Sequence, residues 1–269
     1  MTIKERLLCT NKEVRVINCE ESYIYIDACV KYISIVNCIN TTIFVAAVKK
    51  VCTVDKCENL TLSVAANFLR IGNTIDSTIN YYGSFNPMLY GDNRSITIGP
   101  YNANYAELID RIKEAEIPII YKNIQSYDHP IVLNDIENNN INHKIQRLED
   151  FSAMILPDNF KPIPHSLVKN YDPLIFGINE KQSLSNDDLN YLNGTNCILP
   201  VLCPNSYRDT IKMRYKGYRN LQTDILQTNV GTEEQKILHF AIQSHFKDWL
   251  VHSGSLKPIL EMAKMIDKE

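Results

Sequence analysis

The sequence predicts a mainly β chain: a right-handed parallel β-helix of 19-residue coils, then a mixed extended segment, then a C-terminal α-helical region. Three observations predict it. Cys19, Cys38 and Cys57 recur at a nineteen-residue spacing. Apolar residues within each interval sit two apart, the period of a strand with one buried face. Beyond residue 206 that pattern gives way to apolar residues at helical spacing.

On the 19-residue period, whole columns agree. Val14, Ile33, Cys52 and Ile71 form one; Val16, Ile35 and Val54 a second; Ile24, Ile43, Leu62 and Tyr81 a third; Ile26, Val45 and Val64 a fourth; Ala28, Ala47 and Ala66 a fifth. Hairpin turn signals are missing where such short strands would need them to fold back on themselves. Stacked coils remain, each lying about 4.8 Å above the last, so that like residues stack on like. Cys19, Cys38, Cys52 and Cys57 then read as small inward-facing side chains rather than as metal ligands.

After Ile79 the repeat degrades. Asn73 and Asp76 already fall in apolar columns, and Gly83, Pro87, Gly91, Gly99 and Pro100 punctuate irregular last coils. Tyr105, Leu108, Ile109 and Ile112 share a helical face, predicting a helix that covers the end of the solenoid. Three segments follow: 8–115, the β-helix with its capping helix; 116–205, irregular and extended, packing on the solenoid; and 206–269, helical. In the second, 133–144 is Asn-rich and reads as a solvated loop, whereas Phe151–Leu156 and Cys197–Cys203 read as extended stretches. In the third, a helix is expected near Tyr207–Gln227. Another opens on the capping box Thr232-x-x-Gln235 and carries the stripe Leu238, Ile242, Phe246, Trp249 and Leu250, read as core. It ends at Gly254, and Ser255 starts a last helix with Leu256, Ile259 and Leu260.

Composition narrows the function. With 28 basic and 31 acidic residues the formal net charge is −3, which supplies no electrostatic drive toward nucleic acid. The charged N-terminus and the lack of a run of about 18 apolar residues argue for a cytoplasmic chain without membrane insertion. The Asn-x-Ser/Thr triplets at Asn40, Asn59, Asn93 and Asn193 then carry no glycans. No Cys-x-x-Cys pair, Gly-x-Gly-x-x-Gly, Walker A, Gly-x-Ser-x-Gly or His-Glu-x-x-His motif occurs, and His239, His245 and His252 are spaced too widely for one tight face. No metal or cofactor is expected. A β-helix does offer flat, rigid walls, and Tyr23 and Tyr25, with Tyr32 and Phe44 nearby, are the aromatic residues expected to face a protein partner.

The repeat, followed by Pro87-Met88-Leu89-Tyr90 and by Ile98-Gly99-Pro100-Tyr101 with Tyr105, resembles the tubulin-binding cofactor C (TBCC, C-CAP/cofactor C-like) domain. Members of that family end their β-helix with a Pro-Ile-Ile/Leu segment and an Ala/Gly-Pro-Tyr motif. The resemblance covers about Cys9–Ile112. Farther on, Gln235, Phe246, Trp249-Leu250 and Ser253-Gly254 are similar to the Phe/Tyr-x-x-Trp-Leu-x-x-Ser/Thr-Gly close of one subgroup of TBCC domain-containing proteins.

Two functional readings follow from the resemblance. The subgroup implies a non-enzymatic cytoskeletal protein acting at microtubule-organising centres, the centrosome and basal body, in organisation or organelle positioning. Its partners would be tubulin or centrosomal and basal-body components. Other members activate GTP hydrolysis by tubulin or an Arf-like small GTPase, through an arginine finger in Gln-Gln-Leu/Phe-Arg. The aligned residues here are Asn67-Phe68-Leu69-Arg70. Arg70 stands directly before the inward Ile71 and therefore points outward, the position of the finger; Asn67 replaces the family's first glutamine and Phe68 its second. Such a finger is worth about 10³–10⁵ in rate in known GTPases.

Overall fold

In a computed structural model of the chain the described residues are 2–3, 13–118, 126–133, 143–157, 160, 202–227 and 232–252. The strands are β1 Thr2–Ile3, β2 Glu13–Ile17, β3 Tyr23–Val36, β4 Thr42–Asp55, β5 Thr61–Gly72, β6 Thr78–Tyr82, β7 Met88–Tyr90, β8 Ile96–Pro100, β9 Ile131–Leu133 and β10 His143–Ile145; the helices are α1 Leu108–Glu114, α2 Asn205–Gln227 and α3 Thr232–His252. All strand pairs are parallel, which makes the expected parallel β-helix.

The 14-residue strands β3 and β4 bend around a corner and so serve two walls. Along the first wall Ile24, Ile43, Leu62, Ile79, Ile98 and Ile145 stack in register. Along the second wall the stack is Val16, Ile35, Val54, Ile71, Leu89 and Val132. Single bridges through Glu20, Ile39, Glu58, Ile75 and Arg94 close the third side. The interior is aliphatic: Ile35, Ile43, Val54, Leu62 and Ile71 are fully buried.

The turns into and out of the third side are made without glycine up to the last coil, where Gly91 at φ 69° and Ser95 at φ 54° take these places. Asn18, Asn37, Lys56 and Asn73 hold φ of 48–55°, and Glu21, Asn40, Asn59 and Asp76 hold 47–50°. Asn and Asp tolerate this left-handed region because their short polar side chains bond locally. Here they bond between coils, Asn37 Nδ2 donating to Asn18 Oδ1 at 2.8 Å and Asn59 Nδ2 to Asn40 Oδ1 at 2.7 Å. Between them the Cys38 and Cys57 thiols lean on backbone carbonyls of their own and the preceding coil. Cys38, Cys52 and Cys57 are buried as expected, and burial pushes the Cys52 thiol up to about 12, so it stays protonated.

The columns beyond the third coil differ from the 19-residue layout. Leu62 pairs with Ile79 rather than Tyr81, and Cys52 with Leu69 rather than Ile71. Two residues drop out at one corner, where Ala65-Ala66-Asn67 answers the longer Ala46–Lys50, and pairing shifts between Val45 and Val51. Ala47 likewise pairs with Cys29, and Ala66 with Val48. With the shorter coil, Asn73 and Asp76 fall on the left-handed columns of Lys56 and Asn59, so the repeat does not degrade there; it shortens.

A second core lies outside the solenoid. Phe44, Ala46, Ala65, Tyr82 and Tyr101 face outward from the first wall, and Ala103, Tyr105, Leu108, Ile112, Ile117 and Phe160 cover them. Helix α1 therefore lies along the side of the solenoid, against β3 and β4, instead of across its end as its apolar face suggested. Tyr105 Oη donates to Asp27 Oδ1 at 2.7 Å, and Arg111 Nε reaches the same oxygen at 3.1 Å, fixing the cover to the first full coil. The last coils are extended by β9, which pairs with β7, and by β10, which pairs with β8. Both ends of the expected Asn-rich loop are thus strands, and 134–142 lies outside the described residues. Phe151–Leu156 forms no strand and is tied by Met154 N–H to the Asn102 carbonyl at 2.9 Å. Residues 197–201 lie outside the described set.

The chain divides into two compact units, Met1–Arg214 and Tyr215–Glu269. Within the first, the start of α2 packs through Tyr207, whose ring meets Phe151 edge-on at 4.9 Å, and Arg214 donates to the Phe151 carbonyl at 2.7 Å. Helix α3 starts at Thr232 as expected, but its stripe is not core: Leu238, Ile242 and Phe246 are exposed, as are Ile237 and Phe240 on other sides of the helix. The side chains of Trp249 and Leu250 and the helix expected after Ser255 lie outside the described residues. No described helix is long and apolar enough to cross a membrane.

Candidate functional site

The first wall is sealed, whereas the second is open. Its outward columns are Tyr32, Val51 and Phe68; then Arg15, Ser34, Thr53, Arg70 and Met88; then Ile17, Val36, Asp55, Gly72 and Tyr90. Ile17 is 48% and Tyr32 37% exposed, and Arg15 and Arg70 are exposed.

Arg70 sits where alternation puts it, between buried Leu69 and buried Ile71, pointing away from the core. Its guanidinium carbon lies 5.1 Å from the centroid of the Tyr90 ring, on the next coil. That ring can lie flat because Gly72 is beneath it; a Cβ there would come within 2.3 Å of Tyr90 Cζ. Burial, with Asp55 nearby, raises the phenol of Tyr90 while Arg70 opposes the rise, so the ring stays neutral and presents its π face to the cation. Among the described residues Arg70 has no carboxylate partner. The arrangement aims a pre-oriented guanidinium at solvent from the middle of the open wall.

Asn67 has another occupation. Its Nδ2 donates to the Lys49 carbonyl at 2.8 Å and to the Ala115 carbonyl at 3.1 Å, and its Oδ1 accepts from the Ser84 hydroxyl. It joins β4, the C-terminal end of α1 and the loop after β6, so both of its amide N–H groups and one acceptor position of its oxygen are used internally beside the shortened corner. Phe68 lies edge-on to Phe85 at 6.4 Å.

The four aromatics expected to face a partner are not on one surface. Tyr32 is on the open wall, with the Lys31 ammonium 5.5 Å from its ring centroid. Tyr23 and Tyr25 are half-buried on the first wall, Tyr25 packing 6.2 Å from Phe160. Phe44 is fully buried against Tyr105 and Phe160, with centroids 5.8 and 5.4 Å away, because the chain after Tyr101 returns over it. It contributes to the outer core and is not available as a surface contact. Tyr90 was not among the expected site residues: the coil equivalent of Arg70 is Met88, and Tyr90 reaches Arg70 only across Gly72, its own equivalent. Among the described residues no three His, Cys, Asp or Glu side chains gather in a metal-binding group.

Comparison with known proteins agrees with this architecture. Residues 11–129 match the family model described as Tubulin binding cofactor C. A curated relative, TBCC domain-containing protein 1 of Danio rerio, is 19% identical over 192 residues, which is 70% of this chain and 27% of the relative. The chain thus spans little more than a quarter of that relative's length. The coils that carry Arg70 and Tyr90 lie within the matched residues, so the likeness to the tubulin binding cofactor C family is carried by the segment that forms the open wall.

Proposed function

We propose that this chain is a non-enzymatic, tubulin-related protein-binding module that works in the cytoplasm at microtubule-organising centres, its open wall holding the partner. One observation carries this reading: of two comparable walls, one is sealed by the chain itself and the other presents Arg70 on Tyr90 amid Ile17, Tyr32, Val36 and Val51. Arginine and tyrosine are the residues that most often dominate an interface energetically, above all where neighbouring contacts exclude water. The family description supports tubulin as the partner class. The centrosome or basal body as the place of action is supported by the resemblance of the C-terminal pattern to its subgroup.

A second reading, activation of GTP hydrolysis by tubulin or an Arf-like GTPase, is favoured by Arg70 itself, which is outward and, among the described residues, without a carboxylate partner. Against it, Asn67 is committed to backbone carbonyls. Single-turnover GTP hydrolysis by tubulin (with its folding cofactors) and by Arf-like GTPases, with wild type and with Arg70→Ala, separates the two. The expected result is an unchanged rate with both proteins, together with tubulin binding weakened about tenfold or more by Arg70→Ala. Acceleration by the wild type that disappears in Arg70→Ala would replace the binding-module reading with that of an activator.

A further inference from the structure

The chain as a whole is slightly acidic, yet its open wall is not. Arg15, Lys31, Lys50 and Arg70 line that wall and the corner beside it, against Glu13 and Asp55. Asp55 is already engaged, accepting from Asn73 Nδ2 at 2.8 Å. Elsewhere several described cations are paired, Lys49 with Glu116, Arg94 with Asp92, Arg111 with Asp27 and Arg147 with Glu149, whereas isolated ones such as Lys113 face solvent singly. None of the four on the open wall has an ion pair among the described residues. Lys31 lies between the pairs Val30–Val48 and Tyr32–Val51, so it stands opposite Lys49-Lys50 on the next coil. Like charges directly opposite one another on neighbouring strands destabilise a sheet. Glu116 relieves Lys49 and, more weakly, Lys50, and an anion from outside would relieve Lys31 and the rest of the charge on Lys50.

We propose that this wall docks an acidic, extended protein segment, with Arg15, Lys31, Lys50 and Arg70 meeting its carboxylates and the Tyr32 and Tyr90 rings its apolar side chains. The inference rests on the open wall being the partner-binding surface and names the chemistry of what it binds. Coils repeat at about 4.8 Å, so Arg15 and Arg70, three coils apart, are separated by roughly 14 Å, the reach of four or five extended residues at about 3.3 Å each. A nucleic acid fits less well. Its phosphates would meet Glu13 and Asp55, and its backbone would gain nothing from Ile17, Val36 and Val51. A segment alternating carboxylates with apolar residues matches both sets.

The test is fluorescence anisotropy of a labelled eight-residue peptide of alternating Glu and Tyr, titrated with the full chain. Wild type is expected to bind it, with affinity falling as salt rises, and Lys31→Glu/Lys50→Glu to weaken binding at least tenfold. Lys113→Glu, on the exposed side of α1, should stay within twofold; matching thermal melts show that the variants are folded. Equal binding by wild type and the double variant overturns the proposal, and so does tighter binding of a single-stranded oligonucleotide of the same charge. If the peptide does not bind while Arg70→Ala still weakens tubulin binding, the acidic-segment proposal fails and the open-wall reading stands. If the double variant loses the peptide while Arg70→Ala leaves tubulin binding intact, the acidic-segment proposal holds and the reading of tubulin as this wall's partner fails.

Discussion

Phe44→Ala is expected to lower the stability of the solenoid unit by about 3–5 kcal/mol, the usual cost of removing a buried aromatic ring. The ring is fully buried, edge-on to both Tyr105 and Phe160. On the same wall Ser63, Ala46 and Ala65 are too small to move into the space, and Tyr25 is already held against Phe160. A cavity would persist and the cover formed by 101–117 would lose its main contact. Urea unfolding followed by circular dichroism reads this as a lower midpoint at unchanged slope. A loss under about 1 kcal/mol would mean that the first wall is not sealed as described, and Phe44 would regain its claim to be a surface residue.

Asn67→Ala is expected to cost about 2 kcal/mol. Each buried polar group left without a partner costs about 1–3 kcal/mol, and because Asn67 is only half-buried water replaces part of what the Lys49 and Ala115 carbonyls and the Ser84 hydroxyl lose, which brings the total below the sum for three fully buried groups. Asn67→Gln, which restores the residue common in the family, should also destabilise, because its longer side chain cannot hold both carbonyls from the same backbone position. The same unfolding experiment reads both variants, and a double-mutant cycle with Ser84→Ala should show coupling. An Asn67→Ala protein as stable as wild type would free this side chain for a role at the partner interface.

The inner solenoid was legible because stacking repeats one chemical environment every coil, so that columns of like residues appear in the sequence. Cys19, Cys38 and Cys57 mark it, and the alternation around Ile71 gave the direction of Arg70. The shortened corner at Ala65-Ala66-Asn67 was not legible: after it, an unchanged 19-residue ruler assigns Ile71 and Tyr81 to the wrong columns, although the left-handed residues Asn73 and Asp76 keep the true register. Phe44 was read correctly as outward, between inward Ile43 and Val45. Outward does not mean solvated, and only the return of the chain after Tyr101 decides that. Strands β9 and β10 have three residues each and pair with β7 and β8, more than 40 positions earlier, so no local pattern announces them. The Tyr90 platform under Arg70 likewise depends on the absent side chain of Gly72 on the neighbouring coil.

Amide hydrogen exchange of the full chain, alone and with the tubulin heterodimer, tests the central claim most directly. The expected result is added protection in segments 32–36, 51–55, 68–72 and 88–90, which form the open wall, with 42–46, 61–65 and 101–117 unchanged. Protection confined to the covered side or to α3, with the open wall exchanging as in the free chain, would contradict it.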